Sequence, residues 1–224
     1  MQIAIDGPAS AGKSTIAKLL AKQMHYIYLD TGAMYRAVTW WALKQHLPLN
    51  DEQQILQSLG TEPIEFVPAA DGQHVRMFGT DITTAIRSEE VTNNVSQVSA
   101  LPGVRAEMTK RQRQIAAGQN IVMDGRDIGT TVLPQAAVKI FMVASVAERA
   151  KRRFKDNAEK GITVPLATLA QEIAERDYKD SHRAQSPLKK AADAVEIDTT
   201  HLTIPQVVDA IVAVINEKKQ HMAK

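Results

Sequence analysis

The segment from Gly7 to Ser14 reads Gly-Pro-Ala-Ser-Ala-Gly-Lys-Ser and matches the pattern G-x-x-x-x-G-K-[ST]. The apolar run at 2–6 predicts a buried strand before it, and the apolar spacing over 13–24 predicts a helix after it. A glycine-rich turn between a strand and a helix points backbone N–H groups inward, and the helix N-terminus adds partial positive charge. The motif therefore predicts an α/β fold with a loop that cradles phosphate groups.

Two side chains of this loop are suited to a nucleoside triphosphate. Lys13 can reach the β- and γ-phosphates, and Ser14 can ligate Mg²⁺. Asp124 ends another predicted strand, where its carboxylate would act on the metal ion through one of the metal's own ligands. The motifs D-x-x-G and N-K-x-D of GTP switches are absent from the sequence, which favours an enzyme that consumes the nucleotide. The predicted ATP-binding residues of the loop are Gly7, Pro8, Ala9, Ser10, Ala11, Gly12, Lys13, Ser14 and Thr15.

Strand-like segments alternate with helical ones along the chain. This alternation predicts a parallel sheet covered by helices on both faces, with ligands bound beyond the carboxyl ends of the strands. Asp6, Asp30 and Asp124 fall at such ends. The predicted strands are 1–6, 26–30, 120–124, 138–143 and 195–198, and the predicted helices are about 13–24, 32–46, 88–97, 102–117, 146–158, 165–177 and 204–219.

One segment interrupts the alternation. The β-prone runs 64–67 and 74–78 flank Asp71-Gly72, which predicts a β-hairpin turning at that dipeptide, and 79–82 predicts a short third strand. We therefore expect a single domain over 1–224 with a small antiparallel insert and a basic lid. The expected divisions are core 1–59, 89–148 and 187–224, insert 60–88, and lid 149–186.

The charge of the chain is concentrated in one region. The formal net charge is only +2, but residues 149–190 carry eleven Lys/Arg against six Asp/Glu, a net +5 that leaves −3 for the remainder. A local basic cluster in a nearly neutral protein suits a small polyanion better than a long nucleic acid. The sequence has no cysteine, which excludes disulfides and fits a cytoplasmic protein. The start lacks a basic leader, and no apolar run approaches the ~18 residues of a membrane span, so we expect neither a signal peptide nor a membrane segment.

Phosphoryl transfer is mostly positioning and charge stabilisation, so its enzymes need several cations around the transferred group. Arginine suits this task because its planar fork holds phosphate oxygens bidentately. The first of four arginine-bearing candidate segments is 29–36, where Thr31 is predicted to cap a helix that carries Arg36. In the third, Arg176, Lys179 and Arg183 recur at helical spacing and would present one charged edge. The four candidate segments are 29–36, 124–129, 175–183 and the pair Ser96 and Arg105.

Together these residues resemble the bacterial-type cytidylate kinases, which are P-loop nucleoside monophosphate kinases that transfer the γ-phosphoryl group of ATP to CMP or dCMP. The resemblance covers essentially the whole chain. It implies an α/β P-loop kinase fold with a mobile lid, a role in pyrimidine nucleotide metabolism, ATP and Mg²⁺ as cosubstrate and cofactor, and a monomer without membrane or nucleic-acid partners. Its motifs are 5–8 leading into 12–14, 29–36, 96–99 with 104–105, 124–129 and 175–177.

The resemblance also implies roles for individual residues. Arg36, Arg126 and Arg183 would hold the phosphate of CMP. Ser96, Arg105 and Asp127 would read the edge of cytosine, where Asp127 accepts from the exocyclic amine that uracil lacks. The implied catalytic residues are Lys13, Arg126, Arg176 and Arg183. The implied CMP-binding residues are Thr31, Tyr35, Arg36, Ser96, Arg105, Gly125, Arg126, Asp127, Arg176, Asp180 and Arg183.

Two further pairs receive roles in the same way. Arg176 and Asp180 would contact the sugar of CMP, and Arg152 and Arg153 would supply cations to the phosphates of ATP. Two alternative functions stay open at this point. One is a P-loop kinase for another small acceptor, such as UMP or a non-nucleotide metabolite. The other is a nucleotide-dependent RNA-binding module that uses 149–190, which the aromatic content of 4% disfavours because single strands usually stack on aromatic rings.

Overall fold

The computed structural model describes residues 1–69, 72–159 and 161–222. The chain forms two compact units, the first made of Met1–Tyr28 and Ala116–Lys224 and the second of Leu29–Ile115. In chain order the regular elements are β1 (Gln2–Asp6), α1 (Lys13–Met24), β2 (Ile27–Asp30), α2 (Thr31–Lys44), α3 (Glu52–Leu59), β3 (Glu65–Ala69), β4 (Gly72–Met77), β5 (Thr80–Asp81), α4 (Glu89–Val98), α5 (Pro102–Ala116), β6 (Ile121–Gly125), β7 (Val138–Val143), α6 (Val146–Glu159), α7 (Leu166–His182), β8 (Val195–Asp198) and α8 (Ile204–Met222).

The main sheet is five-stranded and parallel, with the order β2-β6-β1-β7-β8. β1 lies at its centre, where Asp6 stands opposite Gly125 of β6 and Phe141 of β7. The carboxyl end of β1, from which the phosphate-binding loop departs, is therefore next to the carboxyl end of β6. This confirms the predicted α/β class and brings two of the candidate segments to the same edge.

The core of the first unit joins the sheet to two helices. The β-branched side chains of β1, which favour extended backbone, are fully buried, and the apolar faces of α1 and α8 pack on them. The cluster includes Ile3, Ile5, Ile16, Leu20, Val122, Ile140, Ile211 and Ile215. A smaller cluster of Ala150, Leu169 and Ile173 joins α6 to α7.

The second unit contains the antiparallel sheet that the sequence predicts. β4 pairs with β3 on one side and β5 on the other. The predicted turn at Asp71-Gly72 lies partly outside the described residues, since Asp71 is not among them. On α2, Trp41 stacks on Phe78 with ring centroids 4.1 Å apart and donates its indole N–H to Ser58 on α3. These contacts hold the small sheet against the helices of its own unit.

Four local features differ from the sequence expectations. α3 was not predicted, because it is short and has few apolar positions; Asp51 caps it by accepting from the Gln54 N–H. A 3₁₀-helix at Ala85–Arg87 and a π-helical turn at Ile128–Val132 also lack the 3.6-residue period that reveals α-helices. α7 runs five residues beyond the predicted end at 177. Within the described residues, no helix has the length and apolar character needed to cross a bilayer.

Candidate active site

The loop between β1 and α1 approaches β7 closely and contains residues with positive φ. Gly7 has a φ of 149°, and a Cβ there would lie 2.1 Å from the carbonyl oxygen of Met142 on β7. Ser10 and Gly12 also have positive φ, at 59° and 89°. The loop therefore turns tightly against β7, as the glycine pattern predicts.

The end of this loop is prepared for an anion. Gly12 caps α1 without a side-chain hydrogen bond, so the first N–H groups of the helix are not occupied by a capping side chain. Lys13 is only 5% exposed and donates from Nζ to the carbonyl oxygen of Pro8 at 2.7 Å, across the loop. Burial, reinforced by repulsion from Arg126, lowers the pKa of Lys13 to about 7. A bound phosphate would relieve both effects.

Ser14 is oriented by a carboxylate from the neighbouring strand. Its Oγ donates to Asp124 Oδ2 at 2.7 Å, and the hydroxyl of Tyr28 donates to Oδ1 of the same carboxylate at 2.8 Å. Asp124 is buried at the end of β6. The arrangement fits a hydroxyl whose lone pairs are turned toward a cation while its proton is held by a buried acid.

Beyond the end of β6, a cluster of arginines and carboxylates joins the loop at 125–132 to α7. Arg126 Nε donates to Asp180 Oδ2 at 2.9 Å. Arg183 lies 3.5 Å from Asp127 Oδ1 and 4.0 Å from Asp180 Oδ1. The predicted helical edge of Arg176, Lys179 and Arg183 is wrong in part. α7 ends at His182, and Arg183 follows it with extended backbone and donates from Nε to the carbonyl oxygen of Ser186.

The charges of this cluster shift one another. Burial opposes the charge of Arg126, yet Asp180 and Asp124 attract it strongly enough to raise its pKa above the ordinary value. Burial and repulsion from Arg126 lower the pKa of Arg176 to about 10. Burial works against ionisation of Asp180, but Arg126 and Arg176 lower its pKa nonetheless. The guanidinium groups and carboxylates of this cluster are therefore interdependent, because each ionised group stabilises or opposes the charge of its neighbours.

Asp6 holds the loop that carries Arg126 and Asp127. Its Oδ1 accepts from the N–H of Ile128 at 2.8 Å and its Oδ2 from the N–H of Gly129 at 2.7 Å. Burial raises the pKa of this carboxyl to about 6, although the two backbone hydrogen bonds oppose the shift. One carboxylate thus ties the start of the π-helical turn to the strand that precedes the phosphate-binding loop.

The two arginines that the resemblance assigns to ATP lie on α6. Arg152 is tied to other groups, with Nη2 donating to the carbonyl oxygen of Thr199 at 2.6 Å and Nε to Glu148 at 3.1 Å. Its Nη1 also reaches the carbonyl oxygen of Ala11 in the phosphate-binding loop at 3.4 Å. Arg153 is half-buried, and its charge contributes to the lowered pKa of Arg176.

In the second unit, the start of α2 carries Thr31, Tyr35 and Arg36. The cap is not Thr31, as predicted, but Asp30, whose Oδ1 accepts from the N–H of Ala33 at 2.9 Å; Thr31 is already the first helical residue and is buried. Arg36 Nη1 donates to Thr92 Oγ1 at 2.9 Å and to the carbonyl oxygen of Ile86 at 3.1 Å. α4 and the 3₁₀-helix thereby hold the guanidinium in one orientation.

Arg105 and Ser96 also belong to the second unit. The Arg105 guanidinium lies over the ring of Tyr35, 5.2 Å from its centroid, and donates to the carbonyl oxygen of Ser99 at 3.0 Å. Arg105 is buried near the start of α5, and Ser96 is half-buried on α4. A buried guanidinium held by an aromatic ring and a carbonyl is a costly arrangement, which is more typical of a binding site than of a core.

A family profile described as cytidylate kinase matches residues 3–217 of the chain. The chain belongs to the cytidylate kinase family. It is 60% identical to the cytidylate kinase of Ligilactobacillus salivarius (strain UCC118), with 97% of each chain covered. It is 57% identical to the cytidylate kinase of Lactiplantibacillus plantarum (strain ATCC BAA-793 / NCIMB 8826 / WCFS1), with 98% of this chain and 96% of the relative covered.

The fold also has a counterpart among solved structures. An uncharacterized protein from Eubacterium ventriosum ATCC 27560 aligns over 97% of this chain and 98% of its own, with a TM-score of 0.52 and 13% identity. At that identity the likeness concerns the fold alone. Membership in the cytidylate kinase family, by contrast, rests on sequence over nearly the full length.

For this member of the cytidylate kinase family, the first unit contains eight of the side chains predicted to bind phosphate, metal, base or sugar. They are Lys13, Ser14, Asp124, Arg126, Asp127, Arg176, Asp180 and Arg183. The second unit contains Thr31, Tyr35, Arg36, Ser96 and Arg105. Sequence reasoning noted Asp6 only as a strand end and missed Tyr28 and Thr92, which orient Asp124 and Arg36. A polar residue at a strand end was the available signal for Asp6, whereas nothing local distinguishes Tyr28, which lies within β2, or Thr92.

Proposed function

We propose that this chain transfers the γ-phosphoryl group of ATP to CMP and dCMP, forming ADP with CDP or dCDP. Family membership supports the acceptor class. The observation that carries the proposal is geometric: Ser14 of the phosphate-binding loop bonds to Asp124 at 2.7 Å, two residues before Arg126, whose guanidinium pairs with Asp180 at 2.9 Å. Cations suited to a donor phosphate and cations suited to an acceptor phosphate thus converge within one unit.

The proposed chemistry is an in-line displacement. An oxygen of the CMP phosphate attacks the γ-phosphorus, the bond to the β–γ bridging oxygen breaks, and ADP leaves with the negative charge. Because the transition state is loose, the protein contributes positioning and charge. Lys13 would neutralise the β- and γ-phosphates, and Arg126, Arg176 and Arg183 would hold the acceptor and stabilise the transferred group. A single arginine in such a role typically contributes about 10³–10⁵ in rate.

Magnesium fits the residues at the loop. Ser14 would ligate the ion, and Asp124 would act through Ser14 by accepting a hydrogen bond from its hydroxyl. No cluster of three or more His, Asp or Glu side chains able to hold a metal occurs in the part of the chain that the structure describes. This agrees with an ion held chiefly by the phosphates of ATP and by water, as Mg²⁺ commonly is. When bound, Mg²⁺ would neutralise negative charge on the phosphates of ATP.

Different residues would recognise the base, the phosphate and the sugar of CMP. Asp127 would accept from the exocyclic amine of cytosine, and Ser96 and Arg105 would bond the ring nitrogen and carbonyl. Arg36 would contribute to the acceptor phosphate, and Arg176 with Asp180 would contact the sugar. Thr31, Tyr35 and Gly125 complete the proposed CMP set, while Arg152 and Arg153 complete the proposed ATP set with the loop residues 7–15.

The decisive experiment measures ADP formation from Mg·ATP with CMP, dCMP, UMP, AMP or no acceptor. We expect rapid turnover with CMP and dCMP and weak turnover with UMP. Asp127→Asn and Arg105→Met should each lower kcat/KM for CMP at least about a hundredfold, since buried polar readers reject a mismatched partner strongly. Lys110→Met, an exposed change on the same helix as Arg105, is the control and should leave kcat/KM unchanged.

Other outcomes would point to the alternatives. Equal or faster turnover with UMP would mean another acceptor, and ATP consumption indifferent to every acceptor would remove the kinase proposal. Salt-sensitive binding of RNA without acceptor-dependent turnover would favour the RNA-binding module. A cytoplasmic, monomeric enzyme of pyrimidine nucleotide metabolism is the accompanying prediction, which sedimentation and fractionation can test.

We also propose that 149–186 acts as a lid and that 60–88 moves as a unit when CMP binds, since ATP must enter and water must be excluded. Amide hydrogen exchange in both segments should slow when an ATP analogue and CMP are bound together. Equal protection with and without the two nucleotides would contradict this division of the chain.

A further inference from the structure

Arg149 is a buried arginine that no part of the proposed chemistry uses. It lies near the start of α6 and is 4% exposed. Its Nε donates to the carbonyl oxygen of Ala144 at 2.9 Å, and its Nη1 to the carbonyl oxygen of Ala9 at 3.1 Å. Its Nη2 pairs with Asp177 Oδ2 at 2.6 Å. All three nitrogens of the guanidinium are thus engaged.

The three partners belong to three different segments. Ala9 is in the phosphate-binding loop, Ala144 follows β7, and Asp177 is on α7. A loop whose N–H groups turn inward toward phosphates turns some carbonyl groups outward, and Ala9 presents such a carbonyl. Arg152, three residues further along α6, reaches the carbonyl oxygen of Ala11 in the same way. α6 therefore braces the outer side of the phosphate-binding loop at two points.

We propose that Arg149 is a positioning residue through which Asp177 on α7 sets the shape of the phosphate-binding loop, and hence its affinity for the phosphates of ATP. This inference rests on the proposed function in assuming that the loop binds ATP. Arg149 itself touches neither substrate. It acts through the Ala9 carbonyl on one side and through the Asp177 carboxylate on the other.

Asp177 lies on α7 between two residues of the arginine cluster, so its pair with Arg149 can connect that cluster to the phosphate-binding loop. The neighbouring Arg176, and Asp180 one turn further on, belong to the cluster beside Arg126. Any shift of α7 that follows a ligand's engagement of that cluster also moves Asp177. The Asp177–Arg149 pair passes the shift to the Ala9 carbonyl, because a planar guanidinium cannot move one of its nitrogens without the others.

Two buried atoms on α7 indicate that its present arrangement is not fully satisfied. Asp177 Oδ1 and Arg176 Nε are inaccessible to solvent and have no hydrogen-bond partner among the described residues. A buried polar atom that lacks a hydrogen bond is costly, because it has lost its bonds to water without a replacement. An arrangement of α7 that satisfies both atoms when nucleotide binds would remove that cost, and the Arg149 pair would carry the change to the loop.

The test is a double-mutant cycle on binding of a non-hydrolysable Mg·ATP analogue, measured by isothermal titration calorimetry without any acceptor. Asp177→Asn keeps the size of the side chain and removes its charge, and Arg149→Lys keeps the charge and removes the fork. We expect each single change to weaken binding about tenfold, and the double variant to bind no more weakly than Arg149→Lys. Exposed neutralisations on the same helices, Lys155→Gln and Glu172→Gln, are the controls and should bind as the unmodified chain does.

Thermal unfolding of each variant distinguishes an effect on the phosphate-binding loop from a general loss of stability. Lower melting temperatures with unchanged analogue affinity, or strictly additive losses of affinity, would overturn the inference. A chain that binds the analogue and shows the coupling, yet does not phosphorylate CMP, would remove the proposed function and leave the inference standing. Acceptor-dependent activity without the coupling would do the reverse.

Discussion

The phosphate-binding loop at 7–14 and the loop at 125–132 leave neighbouring strands at the same edge of the sheet, and they are built by opposite means. The last residues of the two strands, Asp6 and Gly125, stand opposite each other in the parallel register. The first loop takes its turns from its own glycines and is closed by its own lysine, and α6 braces its outer side through Arg149 and Arg152. The second depends on a side chain from the other strand.

The sequence pattern that determines the turns of the first loop lies within eight residues, 7–14. Glycines at its start and end take φ values that other residues avoid, and Lys13 bonds back to the Pro8 carbonyl five residues earlier. The second loop has local bonds within its turn, where the N–H groups of Thr131 and Val132 donate to the carbonyl oxygen of Asp127, but its start is anchored from outside. Its turn is π-helical and two of its N–H groups bond to Asp6, more than 120 residues away in the chain. Both loops stand out in the sequence as motifs, but only the first shows there how its shape is held, because the anchor of the second is a distant carboxylate.

The largest effect is expected at Gly7, where the local loop meets the sheet. Gly7→Ala would put a Cβ 2.1 Å from the Met142 carbonyl oxygen, so β7 or the loop must shift. We expect a loss of at least about 4 kcal/mol in the free energy of unfolding and no measurable ATP binding. Gly118→Ala is the matched control, since its φ is 70° but no atom lies within 4 Å of the added Cβ. It should cost about 1 kcal/mol, as measured by urea unfolding.

A second effect concerns how stability depends on pH through Asp6. Burial raises its folded-state pKa from 3.8 to about 6, so the folded chain holds this proton more tightly than the unfolded chain does. Its contribution to the free energy of unfolding is therefore greatest below pH 4 and declines as the pH rises from about 4 to about 6. The full decline corresponds to about 3 kcal/mol. The difference in unfolding free energy between the unmodified chain and Asp6→Asn should decline over that interval, and parallel profiles would contradict the shift.

A smaller effect is expected on catalysis. Asp6→Asn keeps one acceptor oxygen but turns an NH₂ group toward a backbone N–H, so the loop that carries Arg126 and Asp127 loses half its anchor. We expect kcat/KM for CMP to fall about tenfold while Mg·ATP affinity changes less than threefold, because the phosphate-binding loop closes on itself. Asp209→Asn, an exposed change on α8, is the control. Equal losses in ATP affinity and in CMP turnover would mean that the two loops are not independent.

The smallest expected signal is a fraction of a proton at Lys13. Burial and repulsion from Arg126 bring its pKa to about 7, and bound phosphates should raise it again. Binding of Mg·ATP near pH 7 should therefore take up to about half a proton. Calorimetry in Hepes and in Tris, whose ionisation heats differ, measures this uptake. Lys13→Arg, which stays protonated, should abolish it, and equal observed binding heats in the two buffers for the unmodified chain would contradict the lowered pKa.

Much of the fold could be read from the sequence, because the signals are local. The strands of the main sheet lie within a residue or so of their predicted bounds, since each is a short apolar run between turn residues. Thr31 was wrongly predicted as a cap because Asp30, equally suited, stands next to it, and only the backbone conformation distinguishes the two. The sequence does not predict α3 or the π-helical turn, because both are too short to show the periodic spacing of apolar residues that indicates a helix. Arg183 was placed on a helix because spacing alone cannot show where a helix ends.

The sequence by itself determined the phosphate-binding loop, the parallel α/β class and the family, because motif, period and spacing are properties of neighbouring residues. Only the tertiary structure decided which side chains hold the site in place. Asp6 reaches the amides of a distant loop, Tyr28 and Ser14 share one carboxylate, and Arg149 joins α7 to the phosphate-binding loop. These are pairings between residues far apart in the chain. Their geometry follows from strand order and helix packing, which no local pattern specifies.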